Sequence, residues 1–153
     1  MNQRTTSATA TRATIAAPAT AAPRLGLLKA FGAAAAGSVV VNWLISAVAR
    51  GPLGASDDLQ GLTPPAFVSL TVIGVLAGAV GWRLITRRSA RPAALLRRLV
   101  PVVLVLSFIP DVLLLTSGAP GADLAGVLAL MAMHIAIVSI AVPLFRRYMP
   151  AGD

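Results

Sequence analysis

Four long apolar stretches, separated by short segments rich in charge, proline and glycine, dominate this sequence. The apolar runs cover residues 30–49, 66–85, 99–116 and 124–145. About twenty such residues are needed to cross a hydrocarbon core roughly 30 Å thick as an α-helix. The pattern therefore predicts an all-α integral membrane protein, folded as an antiparallel bundle of four transmembrane helices.

The first 24 residues differ from the rest of the chain. They are mostly Thr, Ala, Ser and Pro, and their only charges are three arginines. Frequent threonines interrupt the apolar core that a cleavable signal peptide needs. We therefore predict a disordered tail over 1–24, followed by one transmembrane domain over 25–148.

The composition agrees with a membrane protein. Hydrophobic residues make up 57% of the chain and charged residues 12%, whereas soluble domains carry roughly 25% charged residues. The net charge of +8 could suggest nucleic-acid binding, but no aromatic residues alternate with the basic ones to stack on bases. The expected surroundings are a lipid bilayer, and no nucleic-acid partner is expected.

The basic residues lie almost entirely on one side of the predicted spans. Twelve of the thirteen Lys and Arg residues occur near the tail, around the connection between spans two and three, or after span four. Cytoplasmic segments carry such an excess. Both termini are therefore expected in the cytoplasm. The polar, turn-rich loop over 50–65 is expected on the other side, with its acids Asp57 and Asp58 in solvent.

Within the predicted spans, only Asp111 and His134 can titrate. A charge at mid-membrane costs about 2.5–3.5 kcal/mol, so such residues need a partner or a function. Asp111 is expected about 9 Å below the outer end of its span, at a depth similar to Asn42. One interpretation is structural: Asp111 bonds to Asn42 and water where Pro110 bends the helix. The other is a proton- or cation-binding carboxylate in an outward-facing cavity.

His134 completes this candidate intramembrane polar site of Asp111, His134 and Asn42. It is expected near the midplane, about 16 Å from the start of its span. If spans three and four form an antiparallel hairpin around residues 119–120, His134 lies at the same membrane depth as residue 105. Asp111 is six residues further along span three, so the two residues differ in depth by about 9 Å. The two side chains are therefore expected not to touch. A neutral imidazole bonded to a neighbouring helix and a proton relay are both open.

The sequence contains no recognisable catalytic or cofactor site. Cysteine is absent, which excludes thiolate chemistry and cysteine-ligated metals. Met131 and His134 share a helix face, but two ligands are too few for a copper site, and a haem held by two histidines needs a second chain. We expect no cofactor, no bound metal and no enzymatic activity.

Three segments occur in an order that resembles a known family. They begin at Thr71 (Thr-Val-Ile-Gly-Val-Leu-Ala-Gly), Leu106 (Leu-Ser-Phe-Ile-Pro-Asp) and Ala129 (Ala-Leu-Met-Ala-Met-His). The resemblance, over Leu27 to Arg147, is to a family of small four-span bacterial membrane proteins of unknown function, common in actinobacteria. It implies the four-helix fold and a location in the bacterial cytoplasmic membrane, but no activity.

Two classes of function follow from these observations. The first is a structural or accessory component that binds a second copy of itself or another membrane protein. The second is a small proton- or cation-coupled transporter that uses Asp111 and His134. We favour the first because 153 residues in four spans leave little room for a gated pathway within one chain.

Overall fold

A computed structural model describes residues 21–152, with side chains from residue 25 onward. Four long helices are present: α1 (Ala21–Arg50), α2 (Pro64–Arg88), α3 (Pro92–Ser117) and α4 (Leu124–Tyr148). A 3-10 turn over Gln60–Leu62 precedes α2. The described residues contain no β-strand. All four helices are long and apolar enough to cross a membrane, which confirms the predicted all-α fold with four spans.

The helices extend beyond the apolar runs that predicted them. α2 begins at Pro64 and α3 at Pro92, because proline suits the first turn, where the amide has no partner within the helix. α3 continues through Pro110 and ends at Ser117, where Gly118 is the C-cap in the left-handed conformation. α1 begins at Ala21, inside the segment expected as a tail, and the first twenty residues of that tail lie outside the described part of the chain.

The four helices follow one another in chain order around the bundle. α1 packs against α2 and α4, and α3 packs against the same two helices from the opposite side. The start of α1, the α2–α3 connection and the end of α4 share one end, which we call the basic end. The opposite end, called the loop end, carries residues 51–63 and 118–123.

Small side chains at every fourth position let α1 lie close to its neighbours. Ala30, Ala34, Ser38, Asn42 and Ser46 form this buried face, and each is at most 5% exposed. The two alanines join an apolar cluster at the basic end that includes Trp82 and Phe145. Because positions four apart share a helix face, the polar members continue the same face toward the loop end.

Residues 51–63, the plug loop, fold back over the loop end of the bundle. Ala55, Leu59 and Leu62 are at most 4% exposed and pack with Phe67 and Met133. The hydroxyl of Ser46 donates to the carbonyl of Leu62 at 2.7 Å. The apolar side chains of these three residues therefore cover the loop end of the helix bundle. Asp57 and Asp58 do remain exposed.

Candidate functional site

Asp111 and His134 meet between α3 and α4. His134 Nδ1 lies 3.1 Å from Asp111 Oδ2, and the side chains are 35% and 9% exposed, respectively. Beyond the first two turns of α3, Asp111 is that helix's only buried residue. The ring of Phe108, one turn before Asp111, meets the imidazole edge to face with centroids 6.3 Å apart. The pair is therefore the main polar contact holding α3 to the bundle.

The histidine nitrogen that faces Asp111 also faces a backbone carbonyl. Nδ1 lies 2.9 Å from the carbonyl oxygen of Leu130, one turn earlier in α4. A carbonyl oxygen only accepts, so this geometry requires a proton on Nδ1. Asp111 Oδ2 has no well-aligned hydrogen bond of its own, and its contact with the imidazole is chiefly electrostatic. The proton on Nδ1 thus points to the Leu130 carbonyl, with Asp111 Oδ2 beside it at 3.1 Å, and together these two contacts fix the orientation of the ring.

The expectation that Asp111 and His134 do not touch is wrong. Side chains on an α-helix lean toward the start of their own helix. α3 and α4 run in opposite directions, so Asp111 leans toward the basic end and His134 toward the loop end. The turn is also centred between Ser117 and Leu124, which reduces the depth offset to about four residues, or 6 Å. The leaning side chains close that gap.

Asn42 has a different partner from the one expected. Its amide donates to Thr71 Oγ1 at 2.9 Å, and both residues are buried. The expected bond to Asp111 is absent from the described contacts, because α1 and α3 lie on opposite sides of the bundle, with α2 and α4 between them. The candidate site is therefore two separate pairs, Asn42–Thr71 and Asp111–His134.

Two more buried polar residues on α1 escaped the sequence analysis. Ser38 and Ser46 flank Asn42 at a spacing of four, and this repeat in an apolar helix is the signal that could have identified them. Ser46 bonds to the plug loop, whereas Ser38 Oγ and Asn42 Oδ1 have no protein partner among the described residues. The middle of the bundle is therefore more polar than Asp111 and His134 alone indicate.

Asp123 ties the plug loop to α4. One carboxylate oxygen accepts from the amide of Gly126 at 2.6 Å, and the other accepts from the amide of Ser56 at 2.7 Å. The first bond caps α4, as the sequence indicates for an aspartate before an apolar run. The second reaches the plug loop. These two bonds hold the pKa of Asp123 below its usual value, and the bond from Gly126 has the larger effect.

We predict that Asp123→Asn loosens the plug loop at neutral pH. Asparagine has one carbonyl oxygen and places an NH₂ group against one of the two amides. The carboxylate's stabilising effect should be present above the unfolded-state pKa of about 3.9 and lost as pH falls through the lower folded-state value. Protease cleavage within the plug loop should be faster in the variant at pH 7, and the difference from wild type should be smaller at pH 3.

Asp58→Asn is the matched control, because Asp58 is an exposed residue of the same loop. It should leave the cleavage rate unchanged at both pH values. Equal cleavage of wild type and Asp123→Asn at pH 7 would show that the bond to Ser56 does not hold the loop.

The possible chemistry of the Asp111–His134 pair is limited. It can hold and exchange a proton, since an imidazole and a carboxyl group can both bind one. Within the described residues, no group of three or more His, Cys, Asp or Glu side chains is suitably placed for a metal ion. His134 Nδ1 faces a carboxylate and a carbonyl, not a hydroxyl that it could activate as a nucleophile.

Comparison with known proteins identifies a family but no activity. A family model described as a family of unknown function, DUF6069, matches residues 3–151. The match is wider than the expected Leu27 to Arg147. No curated protein matches the chain, and no solved structure does.

Proposed function

This chain belongs to DUF6069, a family of unknown function, and we propose that it is a non-enzymatic accessory component of a membrane. In this proposal the bundle presents a helix surface to another membrane protein or to a second copy of itself. The Asp111–His134 pair then has a structural task, which is to hold that surface in place.

The uneven burial of the helices supports this proposal. In the most apolar stretch of α3, 6% of the residues are buried, against 22% in α4 and 28% in α1. Large aliphatic side chains are exposed along most of α3: Val102, Val103, Val105, Leu106, Ile109, Val112, Leu113 and Leu115. Few residues of α3 therefore contribute to the buried core of the bundle. A helix so little covered by its own bundle is available for association with another transmembrane helix.

We further propose that the membrane is the bacterial cytoplasmic membrane, with both termini in the cytoplasm. Twelve of the thirteen basic residues support that orientation. The bacterial location rests on the family resemblance described above.

The second candidate function is proton- or cation-coupled transport. It is favoured by one observation, the direct contact of Asp111 with His134, whose side chain is 35% exposed and so within reach of an exchanging proton or cation. In that case Asp111→Asn should abolish a flux while leaving the fold intact. In the accessory proposal the same substitution is tolerated.

Native mass spectrometry of the protein, released gently from its own membranes, separates the two candidates. Wild type is compared with an Asp111→Asn, His134→Ala double variant. A non-lipid small ligand that only wild type carries would overturn the accessory proposal. A protein complex or oligomer of wild type is the expected result.

A second pair of variants tests the surface itself. Tryptophan at Ile109 and Leu113, exposed on α3, should lower the fraction of complex at least about tenfold, because interface anchors are each worth about 2 kcal/mol or more. Tryptophan at Leu70 and Ile73 of α2, which are similarly exposed, is the control and should leave the complex intact. Equal effects of the two pairs would contradict α3 as the contact surface.

A further inference from the structure

A cleft opens at the basic end where α2, α3 and α4 meet the segment that follows α4. Its volume is about 310 Å³, at the lower limit of the roughly 300–1,000 Å³ typical of ligand sites. Arg97 of α3 and Arg146 of α4 line it from two helices. The remaining lining residues are mostly apolar: Trp82, Ala93, Leu96, Val100, Pro150 and Ala151.

The two arginines have no acidic partner in the described chain. The described carboxylates are Asp57 and Asp58 in the plug loop, Asp123 beside it, and Asp111 within the bundle. None lies at the basic end. A guanidinium presents several N–H donors in a planar fork that matches phosphate oxygens. Two such groups on one cleft therefore form a site for an anion that none of the described carboxylates neutralises.

One wall of the cleft is held rigidly. Trp82 Nε1 donates to the carbonyl of Met149 at 2.8 Å, and its ring meets Phe145 edge-on with centroids 5.7 Å apart. With its N–H occupied, the indole offers the cleft only its apolar surface. A ligand therefore needs an apolar part to match Trp82, Leu96 and Val100, in addition to an anionic part for the arginines.

We propose that this cleft binds the phosphate of an anionic phospholipid, with the first part of an acyl chain against Leu96 and Val100. Basic pockets between transmembrane helices are suited to such headgroups. α3 enters the apolar zone beside this cleft, so the headgroup lies at the level of the arginines and the chain runs along the helix. The inference does not depend on the partner surface of α3.

The test counts lipids that stay bound in native mass spectrometry. The purified full chain in detergent is mixed with phosphatidylglycerol, with phosphatidylcholine of the same acyl chains, or with inorganic phosphate. Wild type should retain phosphatidylglycerol in preference to phosphatidylcholine, and inorganic phosphate should not displace it. In an Arg97→Gln, Arg146→Gln variant, the loss of retained phosphatidylglycerol should be at least about tenfold greater than in a control variant that lacks two other arginines. The reason is that one basic residue near a headgroup raises the affinity about fivefold.

The control is Arg88→Gln with Arg91→Gln, which removes the same charge from exposed positions outside the cleft. Val100→Trp fills the cleft without changing the charge and should also lower retention. Equal losses from the two glutamine pairs would overturn the proposal in favour of diffuse attraction. Equal retention of both lipids, unchanged retention in Val100→Trp, or displacement by inorganic phosphate would also overturn it.

Discussion

His134→Ala is expected to destabilise the bundle by about 3 kcal/mol, the upper end of the cost of leaving a buried polar group without its partner. The reason is the asymmetry of the Asp111–His134 pair: Asp111 is the more buried member, with 9% of its side chain exposed. An interhelical hydrogen bond in a membrane protein is worth only about 0.6 kcal/mol on average. Most of the loss would therefore come from the stranded carboxyl group.

Two further variants identify the source of that loss. Asp111→Leu with His134→Leu should recover most of the stability, because an apolar pair leaves no polar group unsatisfied. Asp111→Asn should stay within about 1 kcal/mol of wild type, since its side-chain oxygen can keep the same contact with the polar N–H of the imidazole.

The free energy of unfolding is measured in bicelles by steric trapping, with Ile135→Ala as the control for a half-exposed neighbour on α4. A loss of only about 0.6 kcal/mol in His134→Ala would equal that of an average interhelical polar contact, with no added cost from a stranded carboxyl group. That outcome would contradict the structural role given to the pair.

Gly121→Ala is expected to cost about 3 kcal/mol, from two separate effects. Gly121 has a φ of 68°, and this left-handed conformation costs a residue with a Cβ about 1–2 kcal/mol. The added Cβ would also lie 2.5 Å from the backbone nitrogen of Leu59 and 2.7 Å from the carbonyl carbon of Asp58. Backbone atoms cannot rotate away, so the plug loop has to shift, at a further cost of about 1–3 kcal/mol.

Gly118→Ala separates these two effects. Gly118 has the same φ of 68°, but a Cβ there would meet nothing within 4 Å. Only the conformational cost of about 1–2 kcal/mol should remain. The free energies of unfolding of both variants give the packing contribution by difference. Equal losses would show that the plug loop does not need the close approach at Gly121.

The four helices were predictable because a bilayer restricts which backbone conformations can cross it. Unpaired amides and carbonyls are costly in hydrocarbon, so long apolar runs must form helices. The prolines at the starts of α2 and α3 and the glycine after α3 then set these helix ends close to the limits of the apolar runs. The cap at Asp123 was predictable for the same local reason, since the atoms involved are three residues apart.

Contacts between helices were harder to predict. The depth argument placed Asp111 and His134 about 9 Å apart because it counted Cα positions and ignored the opposite lean of the two side chains. It also paired Asn42 with Asp111 by depth alone, although depth does not say which helices are neighbours. The buried leucines of the plug loop were missed because polar and turn-forming residues surround them, so no periodic pattern marks them.

The plug loop has a consequence for the order in which the protein assembles during synthesis. Its attachment points lie at the start of the last helix: Asp123, 67 residues after its loop partner Ser56, and Gly126, whose missing side chain leaves room for Leu59. While the first three helices are being inserted, Leu59 and Leu62 can pack only against α1 and α2, because their partners Ala129 and Met133 belong to α4. The plug loop is therefore synthesised before α3 and α4, but it reaches its packed position only after α4 has been inserted.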